Sequence, residues 1–387
     1  MGRHIYVHNP FCARKCPYCG FYSEEGTSRI EEYYRCAEKE VRLWAEAEGA
    51  PDADDGIDTV YFGGGTPSFP DSSLVCGLLK TIKESFGIRP DAEITIEINP
   101  SSLTRKKAED YFNAGFNRVS VGVQSLSDDV LGTLGRLHDS AGAIEAINML
   151  KDAGFTNISA DLITGVPGQT MEGVLGDIDK FASLGVKHVS TYSLTLEEGT
   201  DFYKRYKDRL EDIVPPEEER AVYHAVRRRL EELGIIPYEI SNSACEGYRS
   251  VHNGSYWNGS EYFAIGAGAH GYTRGMRYGH PDSIDEYIRV MSGDLPDAGL
   301  PEGLIYVEEE MTLEDRMEEY PFLRLRTCEG IEADVFGKKF GRDVHEVFGI
   351  AIEDNISRGL LEDKDGHIRL TEKGLDFADA VIRDFLG

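Results

Sequence analysis

The sequence predicts an α/β fold: an incomplete (β/α)6 barrel over residues 1–215, an extension of it over 216–295, and a winged-helix-like module over 296–387. Three observations carry this. Short apolar strand patterns alternate six times with amphipathic helical patterns. No dinucleotide fingerprint follows the first strand. The residues able to do chemistry fall at the C-terminal ends of the strands, where βα loops of such barrels build their sites.

His4–His8 reads as the first strand and delivers a cysteine-rich loop. A helical pattern runs from about Ile30 to Ala47. Thr59–Phe62 is the second strand and ends in Gly63-Gly64-Gly65-Thr66-Pro67, with a helix over Ser72–Phe86. Glu93–Ile98 is the third strand, closing with Glu97, Asn99 and Pro100, and Thr104–Ala114 its helix. Arg118–Val123 ends at Gln124 and is followed by a helix over Ser140–Ala153. Asn157–Ile163 carries Asp161, and a helix to Leu184 follows; His188–Leu194 is the sixth strand. A charged amphipathic helix then covers Pro215 to Leu233. Beyond it lie Tyr238–Asn242, the block His252-Asn253-Gly254-Ser255-Tyr256-Trp257, and the turn Gly266-Ala267-Gly268-Ala269-His270-Gly271, read as flexible from its glycines. Pro296–Pro301 is the linker candidate. Three short helical patterns and a β-wing between Leu360 and Gly374 complete the module.

Bulk properties narrow the function classes. The chain has 387 residues, 41% hydrophobic and 28% charged, as expected of a globular protein. Its net charge of −28 repels phosphate backbones and anionic lipid, so neither nucleic acid nor a membrane surface is an expected partner. The C-terminal module carries 11 Lys and Arg against 22 Asp and Glu between Pro301 and Gly387, the wrong sign for a DNA-binding winged helix. No apolar run approaches the ~18 residues of a membrane span. Where a signal peptide needs an apolar core the chain has its cysteine loop, so no export signal is expected. Cys36, Cys76, Cys245 and Cys328 are scattered singly, which fits a reducing compartment, the cytoplasm.

The chemistry starts at Cys12, Cys16 and Cys19, spaced C-x3-C-x2-C on one loop. Structural zinc takes four ligands, and an iron–sulfur cluster normally takes four cysteines. Three thiolates leave one iron of a 4Fe–4S cluster open to another ligand. A zinc knuckle completed from elsewhere in the fold, or chance, are the bland alternatives. Gly64, Gly65 and Thr66 belong to a turn whose glycines have no Cβ to block a close-lying ligand, or to plain turn geometry. Glu97 is placed to accept ribose hydroxyls, or to cap a loop. Asp161 ends an apolar run and needs a partner, for which Arg136 is available.

This loop, with Tyr18 just before Cys19, resembles the cluster loop of the radical S-adenosylmethionine (SAM) superfamily. Tyr6-x-His8, FGGGTPS, GVQS, LGRLH, DLITGVPGQT, YEISN, HNGSYW and GAGAHG occur in an order similar to the oxygen-independent coproporphyrinogen III oxidase-like group, and most like its heme-chaperone, or HemW, branch. The resemblance spans almost the whole chain. It implies a radical-SAM barrel with a HemN-type C-terminal domain, and a 4Fe–4S cluster on Cys12, Cys16 and Cys19. There the open iron chelates SAM, and an electron passed into the sulfonium yields methionine and a 5′-deoxyadenosyl radical. Tyr6, Gly64 and Glu97 match positions that contact one SAM; Tyr18, Gly65, Thr66, Gln124, Arg136 and Asp161 match positions around a second SAM in the oxidases. His252 and His270 are the heme-ligand candidates.

Two departures separate relatives. The oxidases carry a fourth cysteine two residues after the third, where this chain has Phe21, and an N-terminal extension, whereas here Cys12 lies close to Met1. Asn9 and Pro321–Arg326 also depart from the usual pattern. The expectation is a heme chaperone with heme or another porphyrin, a heme-acceptor protein and a reducing electron donor as partners. A porphyrinogen oxidase and a two-SAM methyltransferase are the alternatives.

Overall fold

The computed structural model describes residues 3–48, 56–209, 213–294, 296 and 299–386. Asp297 and Ala298 of the linker candidate lie outside the described residues.

All six predicted strands form, as Arg3–Asn9, Ile57–Gly64, Ile88–Ile98, Arg118–Gln124, Asn157–Thr164 and His188–Ser193. They are parallel and lie side by side in chain order. The connecting helices pack by spacing: Ser72–Phe86 buries Val75, Leu78, Leu79, Ile82 and Phe86, one stripe of its surface. Side chains fix where helices start and stop. Asp71, Thr104, Asp139 and Thr170 each accept a backbone N–H of the first turn, and Gly115 and Gly154 close two helices in left-handed geometry.

The six strands are half of a 12-stranded mixed sheet. On one side Tyr262–Ile265 runs parallel to Arg3–Asn9, followed by the antiparallel strands His270–Thr273, Met276–Gly279 and Tyr306–Glu310. On the other, Asn242–Ala244 adds antiparallel to His188–Ser193, and Ile236–Pro237 adds antiparallel to Asn242–Ala244. The sheet does not close on itself, as an incomplete barrel requires. Its apolar core runs from Ile5 to Leu304 and includes the residues of the extension. Among the described residues no helix is long and apolar enough to cross a membrane.

The Gly266–Gly271 turn is not the flexible element its glycines suggested. Ala267 and Ala269 are fully buried, and the Gly266 amide donates to Glu40 at 3.0 Å. Its glycines are there for close approach: a Cβ on Gly266 would meet the Tyr33 hydroxyl at 2.2 Å.

The C-terminal module has its own core, from Met317 to Phe385. Helices Leu313–Arg324, Ala333–Phe340 and Val344–Ser357 pack with a small antiparallel sheet in which His367–Leu370 lies between Ile331–Glu332 and Leu361–Lys364, the winged-helix order. Arg324 joins it to the barrel, donating to Asn258 Oδ1 at 2.6 Å, while Arg326 lies over the Trp257 ring at 4.9 Å.

Candidate functional site

A cavity of about 710 Å³ opens at the C-terminal ends of the parallel strands. Cys12, Cys16, Cys19, Tyr18, Gly64, Gly65, Thr66, Glu97, Gln124, Arg136 and Asp161 all line it, drawn together from positions up to 149 residues apart. The three cysteines are free thiols. Burial pushes the Cys12 and Cys19 thiols up, so deprotonation there calls for a bound cationic centre. Among the described residues no three His, Cys, Asp or Glu side chains are grouped as ligands of a single ion. A cubane cluster, in which each thiolate holds a different iron, places no such demand.

Local sequence explains how the loop seats. The Gly65 amide donates to Asn9 O at 2.7 Å. A Cβ on Gly65 would stand 3.0 Å from Cys12 Sγ, and one on Gly64, whose φ is +111°, would strike the His8 ring at 2.7 Å. The glycine run therefore lets the cysteine loop close over the strand ends. Arg136 reaches the same loop from the other side: Nη1 donates to Cys16 Sγ at 3.5 Å and Tyr18 Oη at 3.4 Å, and Nη2 to Gly122 O at 2.8 Å. It does not pair with Asp161, whose carboxylate instead accepts from Ser120 Oγ at 3.0 Å and from Ser190.

Glu97 accepts from Tyr61 Oη at 2.8 Å and from the Gly64 amide. Burial pushes its pKa up to about 7 despite these donors. Gln124 sits at φ +68°, beside a register shift that follows Val121, and this bulge turns its side chain into the cavity. Tyr6 stands one layer back, its ring stacked on Tyr61 at 6.2 Å and its hydroxyl 3.0 Å from His8 Nδ1.

The two histidine candidates are elsewhere. His252 is 1% exposed and both of its ring nitrogens are engaged, Nδ1 with Thr59 Oγ1 at 2.7 Å and Nε2 with Tyr256 Oη at 2.8 Å. It offers the cavity no nitrogen; its neighbour Asn253 lines the wall instead. His270 is half-exposed on a different part of the sheet, with Nδ1 3.1 Å from Glu308 Oε1. Sequence reasoning missed Tyr61, Arg118, Ser120, Ser190 and Tyr192, which also line the cavity. Their signal is the polar position at every second residue of a strand, as in Arg118-Val119-Ser120-Val121-Gly122.

Residues 6–181 match the model of the radical SAM superfamily, and residues 311–377 that of the HemN C-terminal domain. Over 99% of its length the chain is 34% identical to the heme chaperone HemW of Bacillus subtilis, 98% of which is covered. The chain belongs to the HemW family. It is 33% identical to the heme chaperone HemW of Lactococcus lactis, over 98% of this chain and 96% of that one, and 31% identical to that of Escherichia coli, over 99% and 97%. The solved coproporphyrinogen III oxidase (HemN) of Escherichia coli, described as a radical SAM enzyme, superposes with a TM-score of 0.84 at 19% identity, covering 100% of this chain and 90% of that one. That likeness is one of fold.

In this HemW-family chain the glycine run carries a stability prediction. Gly64→Ala forces a Cβ into the His8 ring at a φ that L residues avoid, so it should destabilise the protein by about 1–3 kcal/mol. Urea unfolding checks it; an unchanged midpoint would mean that His8 moves aside freely.

Proposed function

We propose that this chain is a heme chaperone built on a radical SAM core, with a 4Fe–4S cluster on Cys12, Cys16 and Cys19 and SAM along Gly64, Gly65, Thr66 and Glu97. The observation that carries this reading is the convergence of those side chains on one cavity in a chain with full-length likeness to HemW proteins. The thiols, the close-approach glycines and a buried carboxylate form a donor set suited to both groups. When bound and reduced, the cluster supplies the electron for reductive cleavage of SAM. The chain's own part is to seat and shield. Arg136 holds the Cys16–Tyr18 stretch of the loop, and Glu97 offers two oxygens to the ribose hydroxyls. Gln124, Asp161 and Tyr18 provide polar contacts for a second SAM. A reducing donor protein and a heme acceptor complete the scheme.

Of the two histidines, His270 is the better heme ligand by geometry, being half-exposed beside a glycine turn, whereas His252 is buried and satisfied. Phe21, 70% exposed at the cavity mouth, presents an apolar face to a porphyrin.

The test is anaerobic incubation of the reconstituted protein with SAM, a reductant and either heme or coproporphyrinogen III, with all products identified. Stoichiometric heme binding, seen in Soret absorbance and reduced in His270→Ala, is expected, with no protoporphyrinogen IX formed. Carbon dioxide release from the porphyrinogen without heme binding would replace this reading by the oxidase one.

A further inference from the structure

The HNGSYW block is a sequence motif that the proposed function leaves without a role. In the fold it forms helix Val251–Trp257, whose first turn brings Asn253 to the cavity wall. Glu93 accepts the backbone N–H of Val251 and of His252, each at 3.0 Å, and the Ser250 hydroxyl at 3.3 Å. This fixes the helix against the strand that carries Glu97 four residues further along the same face.

His252 is then locked from both sides, by Thr59 on one ring nitrogen and Tyr256 on the other. Its ring lies on that of Tyr61, with centroids 5.0 Å apart and planes inclined by 24°. Tyr6 stacks on Tyr61 as well. Tyr61 donates its hydroxyl to Glu97 Oε1. One line of packed groups thus leads from the motif histidine to the carboxylate at the cavity wall.

We propose that His252 is a positioning residue of the SAM site: it fixes the ring of Tyr61, which in turn aims the Glu97 carboxylate at the ribose. This rests on the assignment of Glu97 to SAM. A hydroxyl-accepting carboxylate must be ionised and held in one orientation. Tyr61 favours both, since its hydroxyl hydrogen bond stabilises the charged form. The titratable and charged groups facing Glu97 are Tyr6, Tyr61, Arg118, Asp161, Tyr192 and Tyr256. Because the Glu97 carboxyl titrates near 7, SAM binding should strengthen as pH rises through that value. Loss of the Tyr61 hydrogen bond should move the midpoint upward.

Calorimetric titration of the reconstituted full-length protein with SAM, from about pH 6 to 8.5, tests the proposal. His252→Ala should weaken SAM about tenfold, a loss of hydrogen-bond size. It should shift the midpoint in the same direction as Tyr61→Phe, and the double variant should be no weaker than Tyr61→Phe alone. His252→Phe returns a ring to the stack and should recover most of the affinity. Heme titrations should match wild type in every His252 variant. SAM binding by His252→Ala that equals wild type across the pH range would overturn the proposal, as would loss of its heme Soret band. Glu97→Gln with undiminished SAM affinity would instead remove the SAM-site assignment, and the role of His252 with it. If His252→Ala does not fold, His252→Leu, which fills the space but returns no ring to the stack on Tyr61, carries the same expectation.

Discussion

Cys16→Ala is expected to strip the protein of its iron and acid-labile sulfide. Cys16 lies between the other two thiols of the loop, receives the Arg136 guanidinium at 3.5 Å, and has no spare cysteine beside it. The four remaining cysteines occur singly along the chain, so none can replace it on the loop. With two thiolates left, an oxygen-labile cluster has too few anchors to persist through purification. Alanine at Cys36, Cys76, Cys245 or Cys328 should leave the content of wild type. The measurement is anaerobic iron and sulfide analysis, together with EPR of the dithionite-reduced protein. A Cys16→Ala protein with full cluster content sinks the assignment. Zinc in place of iron in the wild type would turn the loop into a structural metal site.

Glu40→Leu should be the most destabilising change on the barrel's outer layer. The Glu40 side chain is completely buried, and four donors converge on it. Oε1 accepts from Trp44 Nε1 at 3.2 Å and meets His280 Nε2 at 2.6 Å; Oε2 accepts from the Gly266 amide at 3.0 Å and Tyr287 Oη at 2.6 Å. His280 Nδ1 also faces the Ala269 carbonyl at 3.0 Å, so both ring nitrogens meet oxygen atoms. Leucine fills the space and leaves every one of these donors unmatched. Removing one partner of such a buried pair costs about 3–5 kcal/mol. A fall of roughly 4–8 °C in the melting temperature is expected for a chain of this size. Trp44 fluorescence follows it locally, since Trp257 is the only other tryptophan. Glu40→Leu combined with His280→Leu should recover part of the loss, because an apolar pair needs no donors. A melting temperature equal to wild type would show that water replaces the carboxylate at no cost.

The alternating layer of the fold was legible because parallel strands buried on both faces write themselves as apolar runs, and their helices as 3.6-residue stripes. The strands of the extension were not legible. Tyr262–Ile265 is four residues long and acquires its meaning only by pairing with a strand some 250 positions earlier, a partnership that no local pattern records. Asp128–Thr133 and Asp201–Tyr206 are six-residue helices of similar ambiguity. Within the site, residues in dense motifs could be found by spacing. Those contributed one at a time from a strand, such as Tyr61 and Arg118, leave only the alternation of polar and apolar positions, which does not separate a site residue from any other buried polar group until its neighbours are known. His252 shows the converse. A histidine in a distinctive block invites a ligand reading, but its burial between Thr59 and Tyr256 depends on contacts with residues far away in sequence.

The position of Arg3–Asn9 inside the sheet has a consequence for synthesis. One neighbour, Ile57–Gly64, is available soon after the strand itself; the other, Tyr262–Ile265, emerges only when two thirds of the chain has been made. At roughly 5–20 residues per second the ribosome takes tens of seconds to supply it. Until then the strand that leads into Cys12 has an open edge, and its cysteines are carried by a nascent chain whose barrel is incomplete. Contacts of such long sequence separation form late and slowly. On the proposed function, loading of iron and sulfide would follow synthesis, and the interval before it is when these thiols are most open to oxidation and this edge to mispairing with other chains.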